Sequence, residues 1–391
     1  MNFKPTRRLA FAAAGAGLAA VSLSGCLIAD NTAQTIGVAG SDTTQDVMAS
    51  IIASYNADAA YNTDPDLLVN IKSQEPGGVA VAADANCAAR TYRTPPGVGE
   101  FAAPNGSSAG RDALKVSITA GDACIDVARS SSGPRAIGSD LATFEYYAFG
   151  MDAVGWSSAS TKAPVNLTLA QLKSIYNCTF TDWSQVGGTA GPIERYWPQA
   201  GSGTRAFAQS DLVGFDPTII SGPGCPAVQL TQENTGETIT TNGDQETAVV
   251  PYSAGNWVAQ ARGTQFDQRS GQVIKSINGQ ALVVFPAGVA TPNTAPGPIQ
   301  ESNIKLNNPV PPYPGIRYVF NVTDSTIDNY EQVVRYVGFE NRDNIAPDYS
   351  MSSPLCSGTY AATLNSFGFA ALDTTVGARN IPGSTCRLYV P

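Results

Sequence analysis

Three short stretches carry residue types that can hold an anion without a metal: Gly40-Ser41-Asp42-Thr43-Thr44, Asn105-Gly106-Ser107-Ser108-Ala109-Gly110 and Gly201-Ser202-Gly203-Thr204-Arg205. The first turn of a helix leaves backbone N–H groups unpaired and carries a partial positive charge. Glycine lets the backbone approach a ligand closely, and Ser and Thr add hydroxyl donors. One such turn is equally well an ordinary helix cap. Three of them at strand C-termini can converge on one cleft. No Gly-Lys-Ser/Thr follows, so the P-loop reading fails. The chain has no histidine, which removes Ser-His-Asp and Cys-His sites and the commonest metal ligand. No calcium-loop spacing, CxxC or distinctive carboxylate pair occurs. The expectation is a binding protein rather than an enzyme, with no catalytic residue, cofactor or metal.

The elements that must position these turns read as an α/β fold. Ile36 to Gly40 is a strand, Asp46 to Tyr55 has helical periodicity, and Leu67 to Ile71 is a second strand. Residues 73–104 are rich in Gly, Pro and Ala and read as an inserted loop. A helix opens at Asn105, and Ile125 to Ala128 is a third strand. Strand–helix alternation of this kind argues for a parallel sheet. A second block holds a strand at Ala153–Trp156, a helix at Leu169–Tyr176 and a strand at Ile193–Trp197 that runs into the third turn. Residues 286–315 read as a long loop, followed by a strand (Tyr318 to Val322), a helix (Ile327 to Tyr336) and a tail.

The N-terminus adds a compartment. Lys4, Arg7 and Arg8 precede a mostly apolar run from Leu9 to Leu23, shorter than the ~20 residues of a membrane-spanning helix. Leu23-Ser24-Gly25-Cys26 closes it and resembles the bacterial lipobox, whose cysteine is lipidated; an ordinary cleaved signal is the plainer alternative. Arg7-Arg8 fits the twin-arginine route only loosely, so Sec or Tat export stays open. Loss of a leader with three basic residues takes the formal charge from −9 to −12. That argues against a nucleic-acid partner and against electrostatic binding to anionic lipid. The six remaining cysteines suit an exported protein. Sequential pairing is the simplest of the fifteen arrangements: Cys87–Cys124, Cys178–Cys225 and Cys356–Cys386.

Taken together, the three turns, Ile125-Asp126-Val127-Ala128-Arg129-Ser130-Ser131, and Leu167-Thr168-Leu169-x-Gln171-Leu172-x-x-Ile175-Tyr176 with Thr181-Asp182-Trp183-Ser184-Gln185-Val186-Gly187-Gly188 resemble the PstS-like phosphate-binding proteins of ABC phosphate importers. The resemblance implies a two-lobe periplasmic binding protein type II fold, each lobe a central sheet flanked by helices, with the ligand between them. It implies these bounds: leader 1–25, tether 26–34, lobe one 35–145, lobe two 146–253, and lobe one again over 254–391 with a disulfide-tied tail. The chain would cross near Tyr146–Gly155 and return near Val250–Asn256. Carried over position by position, Thr43, Thr44, Ser107 and Ser131 would face the ligand from one lobe. Ser202, Gly203, Thr204 and Arg205 would face it from the other. The implied partners are a small oxyanion (phosphate foremost), an ABC permease and, through Cys26, the membrane; the implied state is a monomer. Two positions depart from the family: its arginine before Gly-Ser-Gly-Thr is Pro198 here, and its proton-accepting aspartate is Ser131. Arg205, Arg129 and Arg135 are the candidates to replace the charge, and Asp42 to replace the acceptor. The alternatives kept are a same-fold binding or sensor lipoprotein for another ligand and a structural surface lipoprotein.

Overall fold

The structure is a computed structural model. It describes residues 35–59, 62, 67–70, 81–82, 100–101, 104–121, 125–136, 138–285, 305–306, 314–337, 354–355, 357–372 and 388–389. The leader, Cys26, Cys87, Cys124, Cys356 and Cys386 lie outside these residues, as does the 73–104 segment apart from the short pair Val81–Ala82 with Glu100–Phe101 and residue 104.

Among the described residues, eleven strands form one mixed sheet. They are β1 (Thr35–Gly40), β2 (Leu67–Asn70), β3 (Val127–Ser130), β4 (Phe144–Ser158), β5 (Asn166–Leu167), β6 (Glu194–Pro198), β7 (Gln229–Thr231), β8 (Ala248–Ser253), β9 (Val273–Ile277), β10 (Ile316–Asp324) and β11 (Leu388–Tyr389). The main order is β2-β1-β3-β10-β4-β8-β6-β7. The helices are α1 (Gln45–Ala57), α2 (Ser107–Ala120), α3 (Leu169–Tyr176), α4 (Gly203–Phe207), α5 (Glu237–Asn242), α6 (Ala254–Arg262), α7 (Tyr330–Val337) and α8 (Ala361–Ser366).

The sheet has two halves with separate cores, joined along β4. Residues 144–153 of β4 pair antiparallel with β10, whereas 154–158 pair with β8 and β9. One half is the parallel set β2-β1-β3 edged by β10; its faces are covered by two apolar clusters, one containing Ile36, Val38 and Ile51, the other Leu114, Ile125 and Phe144. The other half centres on a cluster that buries all four tryptophans, Trp156, Trp183, Trp197 and Trp257. Burying a large apolar side chain contributes about 1.5–3 kcal/mol, so each half carries its own stabilising core.

β4 spans the 146–155 stretch, and 250–256 covers the end of β8 and the start of α6, where Asn256 Nδ2 donates to the Thr43 carbonyl of the first half at 2.7 Å. After β8, Trp257, Val258 and Ala261 of α6 pack into the tryptophan cluster, and β9 pairs with the far end of β4. The strand that runs back along β4 is β10. The apolar cluster of the second half includes residues as far along the chain as Val283.

Short-range chemistry explains the local order. Thr168 and Gln171 form a reciprocal capping box at the start of α3, and Asp182 with Gln185 does the same for the turn Trp183–Val186. Cys178 and Cys225 are bonded, with Cα atoms 5.7 Å apart. The bridge closes a loop of 47 residues, which the chain-entropy model values at about 4 kcal/mol. A Cys178→Ser/Cys225→Ser variant is expected to lose about 2–4 kcal/mol in urea denaturation, with a somewhat steeper slope because the freed unfolded chain exposes more surface.

Candidate functional site

The three glycine-hydroxyl turns meet where the two halves face each other. At the first, Gly40 takes a left-handed φ of +117°, and a Cβ there would stand 2.6 Å from the Arg129 carbonyl oxygen. Only glycine lets β1 end this close to β3. The buried Arg129 guanidinium donates to the carbonyls of Val38 (3.0 Å), Gly40 (3.3 Å) and Ser41 (3.3 Å). It thereby ties the end of β1 and the start of the turn. Burial pushes its pKa down to about 10, against an opposing pull from Asp42.

The second and third turns interlock. Ser108 N–H donates to the Gly201 carbonyl at 2.9 Å, and Gly106, at φ +104°, leaves a Cβ only 2.5 Å from that same oxygen. Gly203 sits against the other half so closely that a Cβ would lie 2.2 Å from Ser107 Oγ and 2.3 Å from Ser131 Oγ. Those two hydroxyls are 3.2 Å apart, and Ser131 N–H donates to Ser107 Oγ at 2.9 Å.

At the centre, Thr43 Oγ1 and Thr204 Oγ1 approach to 3.4 Å across the halves. Asn234 Nδ2 donates to Thr43 Oγ1 (3.1 Å), and Arg317 Nη2 donates to Thr204 Oγ1 (3.1 Å) and Thr43 Oγ1 (3.4 Å). Both hydroxyl oxygens are thus occupied as acceptors. Their mutual contact uses one hydroxyl proton and leaves the other to donate.

Arg317 comes from β10 and stands opposite Asp152 of β4 in the strand ladder. Its Nη2 and Nε lie 2.8 and 3.0 Å from Asp152 Oδ2, with side-chain exposures of 2% and 0%. Asp152 also accepts from Ser253 Oγ (2.8 Å) and Gly255 N–H (2.9 Å). A buried carboxylate with several donors is a stable counter-charge. The remaining nitrogen, Arg317 Nη1, has no hydrogen-bond partner among the described residues.

Of the residues expected from sequence, Thr43, Ser107, Ser131, Ser202, Gly203 and Thr204 are brought together. Thr44 is buried beside Thr43, and its hydroxyl has no partner among the described residues. Arg205 does not turn its guanidinium to this centre. Its backbone N–H donates to the Ser202 cap, while its guanidinium turns to the Pro198 carbonyl (3.3 Å) and Asp216 (3.9 Å). The other candidate cations are also committed elsewhere, Arg129 to the carbonyls above and Arg135 to Asp140 and Asp112. Asp42 accepts from Gln199 Nε2 (3.2 Å) and from Gln232 Nε2.

Arg317, Asp152, Asn234 and Glu233 were missed. The available signal was an arginine and an aspartate set in otherwise apolar strand runs, Ile316 to Phe320 and Tyr146 to Trp156. Two cavities flank the centre. One, of about 370 Å³, is lined by Asp42, Asp46, Glu233 and Glu237. The other, of about 720 Å³, is lined by Arg111, Arg135, Arg317, Phe207 and Asp211. The cation-lined side is the one that an anion would approach. Among the described residues no cluster of His, Cys, Asp or Glu could hold a metal ion.

A split sheet with donor turns facing each other from both halves defines a two-lobe binding-protein architecture. The chain belongs to the PBP superfamily, whose domain model matches residues 28–282. A Clostridium perfringens protein described as a phosphate ABC transporter substrate-binding protein, solved with bound phosphate, aligns at 14% identity over 87% of this chain and 100% of its own, with a TM-score of 0.52. An ABC-type phosphate transport receptor from Vibrio cholerae aligns at 17% identity over 86% and 99%, with a TM-score of 0.48. No curated protein matches in sequence.

Proposed function

We propose that this chain is an extracytoplasmic substrate-binding protein that captures a small oxyanion, inorganic phosphate, for an ABC permease and is held at the membrane by lipid on Cys26. It binds and releases without a chemical step. The observation that carries this reading is Arg317: a buried guanidinium within 3.4 Å of both central threonine hydroxyls and with one N–H pair uncommitted. It supplies the charge that Pro198 does not. Around it stand hydroxyl and amide donors from both halves. Local donors decide anion binding, so a net charge of −12 after leader removal is no obstacle. The membership in the PBP superfamily and the fold shared with a phosphate-bound relative support the reading. The Cys178–Cys225 bond suits an oxidising compartment.

Titration calorimetry of Thr204→Val against the parent tests the binding mode. The change removes a hydroxyl at nearly constant volume and leaves the Thr204 N–H. A hydrogen bond to a charged partner is worth about 1.5–3 kcal/mol, so phosphate affinity should fall about 10- to 100-fold. Melting without phosphate should fall modestly, since Arg317 Nη2 loses Thr204 but keeps Asp152 and Thr43. Equal affinity in the two proteins would reduce Thr204 to a packing residue.

A further inference from the structure

Glu233 holds two donors that an oxyanion would use. Its Oε2 accepts from Ser202 Oγ at 2.6 Å and from Thr204 N–H at 3.2 Å. Ser202 and Thr204 flank Gly203, so the carboxylate sits on the third turn itself. The residue is 3% exposed, and its Oε1 is buried with no hydrogen-bond partner among the described residues. Its own backbone N–H is fixed by Gln199 Oε1 at 2.8 Å, which holds the main chain of residue 233 in place. No Lys or Arg lies within salt-bridge distance of it among the described residues. The neighbouring cavity that Glu233 also lines carries Asp42, Asp46 and Glu237.

From this we infer that Glu233 is a resident anion of the cleft, which competes with the ligand for Ser202 and Thr204 and so sets which oxyanions bind. The inference rests on the oxyanion reading of the cleft. A carboxylate carries one negative charge and here takes one hydroxyl and one amide. A monoanion that displaced it would exchange one charge for another and gain little. A dianion with three or four oxygens can take the same donors and still reach Arg317, so it gains a charge-assisted contact that the carboxylate lacks. Displacement has a cost, because the freed carboxylate moves toward three other carboxylates at the cavity wall. Glu233 therefore raises the threshold for every ligand and excludes the weakly charged ones.

The test is calorimetry on the full chain with phosphate, sulfate and nitrate, comparing the parent with Glu233→Gln and Glu233→Ala. Both variants should bind phosphate about 10- to 100-fold more tightly than the parent, the size of one or two charged hydrogen bonds released to the ligand. Both should also gain measurable nitrate binding. In Glu233→Ala, formate should compete with phosphate by filling the vacated position, and it should not do so in the parent. Thermal melting without ligand separates a misfolded variant from a silent one, and Glu233→Gln keeps an acceptor oxygen for Ser202 and Thr204 if the alanine form does not fold. A variant that folds and binds phosphate equally or more weakly, with nitrate still excluded, overturns the inference. Binding by Glu233→Gln alone, with none by the parent, supports it in its strongest form. If neither the parent nor any folded variant binds any of the three anions, the oxyanion reading itself fails and takes the inference with it.

Discussion

Replacing Arg317 with methionine is expected to abolish measurable phosphate binding and to destabilise the fold. The guanidinium reaches both Thr43 and Thr204 and lies 2.8 Å from Asp152. The neighbouring arginines are held elsewhere: Arg129, Arg135 and Arg205 by the partners given above, and Arg111 by the Ser132 and Gly133 carbonyls and the Ser108 hydroxyl. Loss of the charge-assisted contact that Nη1 can make to an anion, together with the charge itself, should lower affinity about 100-fold. Removal of one member of a buried ion pair costs about 3–5 kcal/mol because the other is left uncompensated. Asp152 keeps hydrogen bonds from Ser253 and Gly255, which places the loss nearer the lower figure. A second change separates the two effects. Asp152→Asn combined with Arg317→Met should recover much of the lost stability in urea denaturation and none of the affinity. Recovery of affinity in the double variant would show that Arg317 acts on the fold and not on the ligand.

Gly203→Ala should uncouple the two halves without unfolding either. The added methyl would fall 2.2 and 2.3 Å from two serine oxygens and 2.9 Å from the Ser107 Cβ. The hydroxyls can rotate, but the Ser107 Cβ belongs to the first residue of α2 and cannot. The third turn must then move away from the second. Overpacking of this kind costs about 1–3 kcal/mol, which would appear as affinity reduced by about 10- to 100-fold. Small-angle scattering should show a larger radius in phosphate than the parent shows. Melting should change little, because the tryptophan cluster of the second half and the clusters around β1 and β3 do not contain this contact. A variant that binds as the parent does would mean that the Ser107–Ser131–Gly203 approach is not part of the bound state.

The sequence made the local elements legible because their signals are local. The periodicity of Leu169–Tyr176 and the capping pair Thr168 and Gln171 delimit α3 within a few residues of chain. The phrase around Trp183 proved informative about packing and not about the ligand: Trp183 is fully buried in the second core. The donor turns were legible for the same reason, as each is a contiguous string of small residues. The charge was not. Arg317 and Asp152 are 165 residues apart and meet only through the register of β10 on β4. Arg205 looked suitable by proximity in sequence, yet its place on α4 sends its guanidinium to Pro198 and Asp216. The packing of α6 was not legible either: the helix begins directly after β8, and only the fold puts its Trp257, Val258 and Ala261 in the tryptophan cluster.

Equilibrium dialysis of the purified full chain against labelled inorganic phosphate tests the oxyanion-binding cleft most directly. The expected result is saturable binding of one phosphate per chain, lost in Arg317→Met and weakened in Thr204→Val. Absence of saturable binding by the parent and by Glu233→Gln, in protein whose melting transition is intact, would contradict it.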